Sequence, residues 1–285
     1  MSCQADVAVG IVSWNRRQLL AEALRSIQRS TLQPQTVIVI DNNSSDSTQD
    51  MLAREFTWVR VVRNKQNLNC IRGRNQIFRM VSNKYTLLLD DDARVAPDCL
   101  EKLVSVMERD ADTAICGPRL VYPNGEFQAS CRTFPTPAAI VMRGSPLGRL
   151  FPYAAPLRHY LMVDADLDSP QRVDWMIAAC LLVRMSAIRQ IGEFDPHFTA
   201  HEETDLCARV WKSGWEVSYV PEATCVHHYH RLAAGSWLNR RKLRHIRSCC
   251  RLFLKHGLSL RGVALRSRPV NSQMERTPEP SCAEG

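Results

Sequence analysis

Unbroken apolar runs alternate with amphipathic stretches over the first third of the chain. "DVAVGIVSW" (6–14), "QTVIVID" (35–41), "VRVVRN" (59–64) and "YTLLLDDD" (85–92) are rich in Val, Ile and Leu and show no polar alternation. This pattern predicts strands buried on both faces, as in a parallel sheet. Between them, 17–29 and 46–55 carry the apolar spacing of helices, the second opening on the N-cap signal "SSDST". The order βαβαβαβ predicts an open α/β domain of Rossmann-like character, in which ligands gather at the carboxyl ends of the strands. Polar residues that finish strands are the first candidates: Ser13 and Asn15, Asp41 to Asn43, and Asp90 to Asp92.

The pattern weakens in the middle. "YPNGE" reads as a turn, "FQASCRTF" as a strand, and 135–172 as Pro-rich loop. "VDWMIAACLLVR" (173–184) reads as a buried strand, 203–214 as a helix closed by Gly214, and "VSYVPEA" as a strand leading into "TCVHHYHR". A helix is expected over 236–256, with Leu243, Ile246, Cys250 and Phe253 on one side, and 269–285 reads as a disordered tail.

Composition changes this picture in two places. The net charge of +8 is localised: residues 1–222 carry 25 basic and 26 acidic side chains, whereas 223–273 holds eleven Lys or Arg and no acid. A basic amphipathic helix over 236–268 either lies on an anionic membrane surface or packs its stripe on the body with its charges solvated. Nucleic-acid binding is not expected, because the segment lacks an interleaved aromatic pattern and follows an acidic, metal-competent body. The eleven cysteines form no CxxC pair, and adjacent Cys249 and Cys250 offer no metal-ligand spacing. Reduced thiols, no charged-then-apolar leader and no apolar run near membrane-spanning length point to a cytoplasmic protein.

Neither GxxxxGK[ST] nor GxGxxG occurs, so phosphate would need another means of neutralisation. Carboxylates holding a divalent cation provide one, since Mg²⁺ and Mn²⁺ take oxygen ligands and bridge to phosphate oxygens. Asp90, Asp91 and Asp92, emerging from a leucine-rich strand, suit that role; a solvated turn with the N-cap of the next helix is the bland reading.

At this point the chain resembles a known family. "VAVGIVSWNR", "VIVIDNNSSDST", "NLNCIRGRNQ", "LLLDDDAR", "ACLLVR", "IGEFDPHF", "HEETDLCARVWKSGW" and "CVHH", in this order over about residues 6–232, resemble the family-2 inverting glycosyltransferases of GT-A fold. "CRTFPTP" is similar to the rhamnosyltransferase-like branch. The resemblance implies a GT-A domain with a mostly parallel central sheet over 1–232, divided into a nucleotide-binding half (1–113) and an acceptor-binding half (114–232), followed by a basic helical extension (233–268). It implies transfer of a sugar from a UDP- or dTDP-sugar to an acceptor hydroxyl by single displacement, with Mn²⁺ or Mg²⁺. The acceptor is a saccharide, a lipid-linked or a small molecule, and the enzyme is cytoplasmic or peripheral at the inner face of the membrane.

The resemblance also assigns roles. Ser13 and Asn15 hold the nucleotide, Asp41 meets its base with Asn43 beside it, and Arg72, Arg74 and Asn75 contact the donor. Asn69 stands where the family usually has glycine. Asp90 lies toward the ribose, Asp91 beside it, and Asp92 and His227 take the metal, with His228 the runner-up. Glu203 is the base and Glu202 its neighbour; a carboxylate opposite the leaving group takes the acceptor's proton. An acidic first helical turn explains Glu202, Glu203 and Asp205 equally simply. Trp175 reads as core or acceptor wall, and Asp195 as a cap or acceptor-loop residue. A nucleotide-sugar-binding protein that has lost catalysis is the alternative, because Glu203 replaces the family's usual Asp.

Overall fold

The computed structural model describes residues 5–145, 147–228 and 240–258. Four strands, β1 (Ala5–Ser13), β2 (Pro34–Asp41), β3 (Arg60–Arg63) and β4 (Tyr85–Asp90), pair in parallel in the spatial order β3-β2-β1-β4. The helices α1 (Arg17–Gln28), α2 (Thr48–Glu55) and α3 (Cys70–Met80) connect them. Their side chains alternate between two cores: Ile38, Ile40 and Leu88 enter one, Val37, Val39, Leu87 and Leu89 the other. Burial on both faces is why these runs lack polar alternation. α3 lies close on β1, since a Cβ at Gly73 would sit 2.7 Å from Val12.

Beyond β4 come β5 (Ala93–Val95), α4 (Cys99–Arg109), β6 (Thr113–Val121), β7 (Phe127–Gln128) and β8 (Cys131–Arg132). The chain continues through α5 (Pro137–Gly144), α6 (Leu147–Leu150), α7 (Ala155–Leu161), β9 (Gln171–Arg172), β10 (Trp175–Met176) and β11 (Cys180–Arg184). Last are α8 (Met185–Ile191), α9 (Glu202–Lys212), β12 (Glu216–His227) and α10 (Arg240–His256). The sheet extends past β4 as β11-β6-β12-β5, with β7 on β6 and β9 on β12; β8 and β10 form a separate pair. β11 runs antiparallel to both neighbours, β12 parallel to β6, and β5 antiparallel to β12. The sheet is mixed and parallel throughout β1 to β4, in line with the expected mostly parallel central sheet.

Three expectations need correction. The 135–172 stretch contains α5, α6 and α7, whose seven or eight residues or fewer are too short for a periodic signal. The apolar 173–184 run is two strands, because β10 leaves to pair with β8 before β11 enters the main sheet. The face of α10 turned to the body carries Ser248, Cys249 and Leu252, while Leu243, Ile246 and Cys250 are exposed. Buried polar partners share that face with Leu252, which enters the apolar core. Residues 236–239, the rest of the extension past 258 and the expected tail lie outside the described residues. No helix among the described residues is long and apolar enough to cross a membrane.

Candidate active site

At the carboxyl end of β1, Ser13 is buried and Asn15 takes a positive φ of 52°. Asn15 Oδ1 accepts from the Ser45 amide at 2.7 Å and its own amide donates to Ser44 Oγ at 2.9 Å, fastening the two loops together. Asp41 ends β2 fully buried, accepting from the Ser44 amide at 3.0 Å and from Gln49 Nε2. Asn43 is exposed. Asn69 holds φ 73° and ψ 171°, a region almost reserved for glycine, while its side chain caps α3 by accepting from the Arg72 amide at 3.1 Å. The backbone therefore keeps a glycine-like path at this position.

Arg74 connects the two carboxylate clusters. Its buried guanidinium donates to Asp90 Oδ1 at 2.7 Å and to the Ala178 carbonyl at 2.8 Å, and lies 3.6 Å from Glu203 Oε1. Arg72 is exposed on the neighbouring turn. Asn75 is drawn away from the cleft: its side-chain amide donates to the Phe194 carbonyl at 2.8 Å and accepts from the Phe194 amide at 3.1 Å. Both of its functions are spent on the fold, so the expected donor contact is replaced by a structural one.

Asp91 and Asp92 share Arg16, which lies 3.2 Å from Asp91 and makes a close contact with Asp92. Burial pushes the Asp91 carboxyl up to about 7, against the pull of Arg16. Burial acts on Asp92 too, but the His227 hydrogen bond and the Arg16 charge outweigh it and hold that carboxyl below its ordinary value. His227 is held between two side chains, with Nδ1 2.8 Å from Gln128 Oε1 and Nε2 3.4 Å from Asp92 Oδ1. One ligand atom each from Asp90, Asp92 and His227 falls within 4.8 Å of the others. Two hard oxygens and one imidazole suit Mn²⁺ and tolerate Mg²⁺. The backbone fixes this arrangement: β12 pairs His227 with Ala93, and the His228 amide donates to the Asp92 carbonyl at 2.9 Å. The His228 ring points instead toward Glu22, at 4.0 Å.

Glu202 and Glu203 open α9, behind His201 in a left-handed conformation (φ 64°). Burial and then the neighbouring Glu202 raise the Glu203 carboxyl to about 8, with Arg74 offsetting part of the effect. Such a group is poised to exchange a proton near neutral pH. Asp205 is different. It is fully buried and engages Arg209 Nε at 3.0 Å, His256 Nε2 at 2.8 Å and Lys255 Nζ at 2.8 Å. Asp195 likewise pairs with Arg251 and Lys255, each at 3.1 Å. Both acids anchor α10 and neither joins the cleft. Trp175 is buried core whose indole donates to the Thr133 carbonyl at 2.9 Å.

Sequence reasoning passed over Arg16, Gln128 and His201. Arg16 had a signal, a cation just past the end of β1 with an acidic triplet expected at the same sheet edge. Gln128 and His201 had none, since their partners are distant in the chain.

A family model described as "Glycosyl transferase family 2" matches residues 8–159, and "Glycosyl transferase family group 2" matches 85–272. The chain belongs to glycosyl transferase family 2 and is a glycosyltransferase, and the rhamnosyltransferases below are among its relatives. It is 27% identical over 224 residues to an N-acetylglucosaminyl-diphospho-decaprenol L-rhamnosyltransferase of Mycobacterium tuberculosis, covering 73% of this chain and 71% of the relative. An O-antigen chain rhamnosyltransferase of Salmonella anatum is 24% identical, covering 78% and 63%. Among solved structures, GalNAc-T7 with UDP, GalNAc and Mn²⁺ superposes with a TM-score of 0.65 at 16% identity, over 87% of this chain and 48% of that one. The mannosyltransferase PcManGT of Pyrobaculum calidifontis with GDP-Man and Mn²⁺ gives 0.60 at 15% identity, over 89% and 64%. The chain thus spans about half the length of the first structure and under two thirds of the second.

Proposed function

We propose that this glycosyltransferase moves a sugar from a UDP- or dTDP-sugar to an acceptor hydroxyl with inversion, in one displacement that depends on Mn²⁺ or Mg²⁺. The observation that carries the reading is Arg74, whose guanidinium bonds Asp90 on the nucleotide side and faces Glu203 on the acceptor side. One buried cation thereby sets the separation of the two carboxylates.

The roles follow from position. The loops held by Asn15 and Asp41 receive the nucleotide, with Ser13 and Asn43 at their rims. Asp90 orients the ribose, and Asp92 and His227 hold the cation, with Asp91 behind them. When bound, a divalent cation supplies positive charge against the departing diphosphate. Glu203 then takes the acceptor's hydroxyl proton as the oxygen attacks the anomeric carbon, and the bond to the diphosphate breaks on the opposite face. Glu202 raises the proton affinity of this base. Arg74 compensates the charge left when Glu203 is ionised.

A lipid-linked acceptor fits the surface around α10. Leu243, Ile246 and Leu254 are exposed among Arg244, Arg247 and Arg251, an apolar and basic mixture suited to an anionic membrane face. The name of the mycobacterial relative, which specifies a diphospho-decaprenol, supports the same class of acceptor.

A thermal-shift screen tests the donor reading without an acceptor, because a ligand of the native state alone raises its stability by mass action. UDP or dTDP compounds should raise Tm only with Mn²⁺ or Mg²⁺ present, by about 2.7 kcal/mol of stability at a hundred times Kd. Asp92→Ala should abolish that dependence. A metal-independent shift, or one with GDP or CMP compounds alone, would overturn the assignment.

A further inference from the structure

A second group of metal-ligating side chains lies outside the cleft. His201 comes from the loop before α9, while His245 and Cys249 come from α10. The last two are spaced i, i+4, which places them on one face of the helix. Cys249 Sγ lies 3.3 Å from His201 Nε2, the two imidazole rings have centroids 4.9 Å apart, and ligand atoms from all three fall within 4.8 Å of one another. A tetrahedral zinc ion, with bonds of about 2.3 Å to sulfur and about 2.0 Å to nitrogen, brings its ligand atoms to roughly 3.5 Å separations. Small side-chain adjustments close that gap. The other ring nitrogen of His201 stands 3.4 Å from Thr204 Oγ1, which fixes the ring with Nε2 inward, as an outer partner of a ligating histidine does.

We infer that His201, His245 and Cys249 form a transition-metal site of the zinc class, separate from the Asp90, Asp92 and His227 set, that fastens α10 to the start of α9, where Glu202 and Glu203 lie. The donor chemistry separates the two sites. Two nitrogens and a thiolate select Zn²⁺, whereas an oxygen-rich set selects Mn²⁺ or Mg²⁺. His201 and Cys249 are buried and His245 is exposed, which leaves an entry path and a fourth position for water. Arg143 acts electrostatically on all three side chains and opposes a cation there. It is also held at Tyr160, whose hydroxyl accepts from it at 3.2 Å. The thiolate formed when Cys249 ligates offsets that charge.

Cobalt(II) reports this site directly, since a thiolate ligand gives a near-ultraviolet charge-transfer band and a tetrahedral field gives visible bands. Full-length Asp92→Ala protein, stripped with chelator, removes the first site from the titration. One equivalent of Co²⁺ should produce both bands, and equimolar Zn²⁺ should abolish them. Cys250→Ser should keep the bands, and Cys249→Ser should lose them. His245→Ala should also lose the tetrahedral spectrum, and its exposed position preserves the fold if Cys249→Ser does not. Zn²⁺ should also slow tryptic cleavage within α10 in the Asp92→Ala protein and leave it unchanged in His245→Ala. A spectrum without the thiolate band, or bands surviving both His245→Ala and Cys249→Ser, overturns the site. Cleavage indifferent to Zn²⁺ overturns its fastening role.

Discussion

The two halves of this enzyme are held together by different chemistry. In the nucleotide half, β1 to β4 interlock through Val, Ile and Leu on both faces, and polar groups appear only where the strands end. The acceptor half also has an apolar core, with Phe194, Phe198, Trp211 and Tyr219 among its buried members, and adds buried ions to it. Arg184 donates to the carbonyls of Thr113, Met107 and Asp110, and Arg209 to those of Ile191, Gly192 and Glu193. Asp205 draws three cationic or imidazole partners onto one carboxylate. Parallel strands make a stiff floor for a nucleotide, whereas short segments need directional bonds to stay in place. The difference assigns the two halves different sensitivities: the first to lost volume, the second to lost charge as well.

The largest expected effect sharpens the comparison at its junction. Glu203→Gln keeps the shape of the base and removes its proton affinity, so turnover should fall by about 10²–10⁴-fold while metal-dependent donor binding survives. Equal loss of donor binding in a calorimetric titration would move Glu203 out of the catalytic role. In the wild type, activity should rise with pH through about 8, since a carboxyl raised to that value must be ionised to act as a base. A kcat/KM profile flat from pH 6 to 9 would contradict this.

Stability tests the comparison next. Asp205→Ala leaves buried partners without their counter-charge and should cost about 3 kcal/mol. Leu88→Ala in the nucleotide half should cost a similar 2–5 kcal/mol by opening a cavity. Raised salt should widen the deficit of neither buried site by much, and denaturant melts in low and high salt would show it. If Asp205→Ala were neutral, the acceptor half would rest on packing alone.

A smaller effect concerns Asp174, whose carboxyl burial raises to about 6 despite accepting from the Phe134 amide. Its folded value lies above its unfolded one, so the stabilisation it gives is fully present below about pH 4 and is lost as pH rises through about 6. Asp174→Asn keeps the acceptor and should therefore be more stable than the wild type at pH 8 by about 1–3 kcal/mol, with no gain at pH 4. Tm measured across that range decides it. The smallest change is expected at the outward face of α10. Ile246→Ser should alter stability by no more than about 0.5 kcal/mol, because the side chain is exposed, yet should weaken binding to anionic vesicles if that face meets a membrane.

The same contrast explains what was legible in the sequence. Strands buried on both faces announce themselves as apolar runs, and the residues that end them, Asp41 and Asp90 to Asp92, stand at the sheet edge where such runs place them. α9 was legible from its acidic first turn and Gly214. α5, α6 and α7 were not, because two of them start with Pro near N1 in helices too short to show periodicity. The inner face of α10 was misread for a related reason. Its contacts run through Ser248, Cys249 and His256 with a single leucine, Leu252, so the apolar positions Leu243 and Ile246 suggested the wrong side. Asn75 was legible as polar and close to the donor segment, but only coordinates place its amide against Phe194. Pairings between distant charges leave no local pattern.

The ladder that joins β12 to β5 also sets a timetable. Asp92 and His227 become neighbours only when the last strand of the sheet zips onto Ala93 to Val95, so a nascent chain that has emerged as far as β11 has its leucine-rich strand and aspartates but no complete cation site. Long-range strand pairing is slow compared with local helix formation. On the proposed cation role of Asp92 and His227, metal competence is a late event in the life of the polypeptide, and its appearance during refolding marks closure of the sheet.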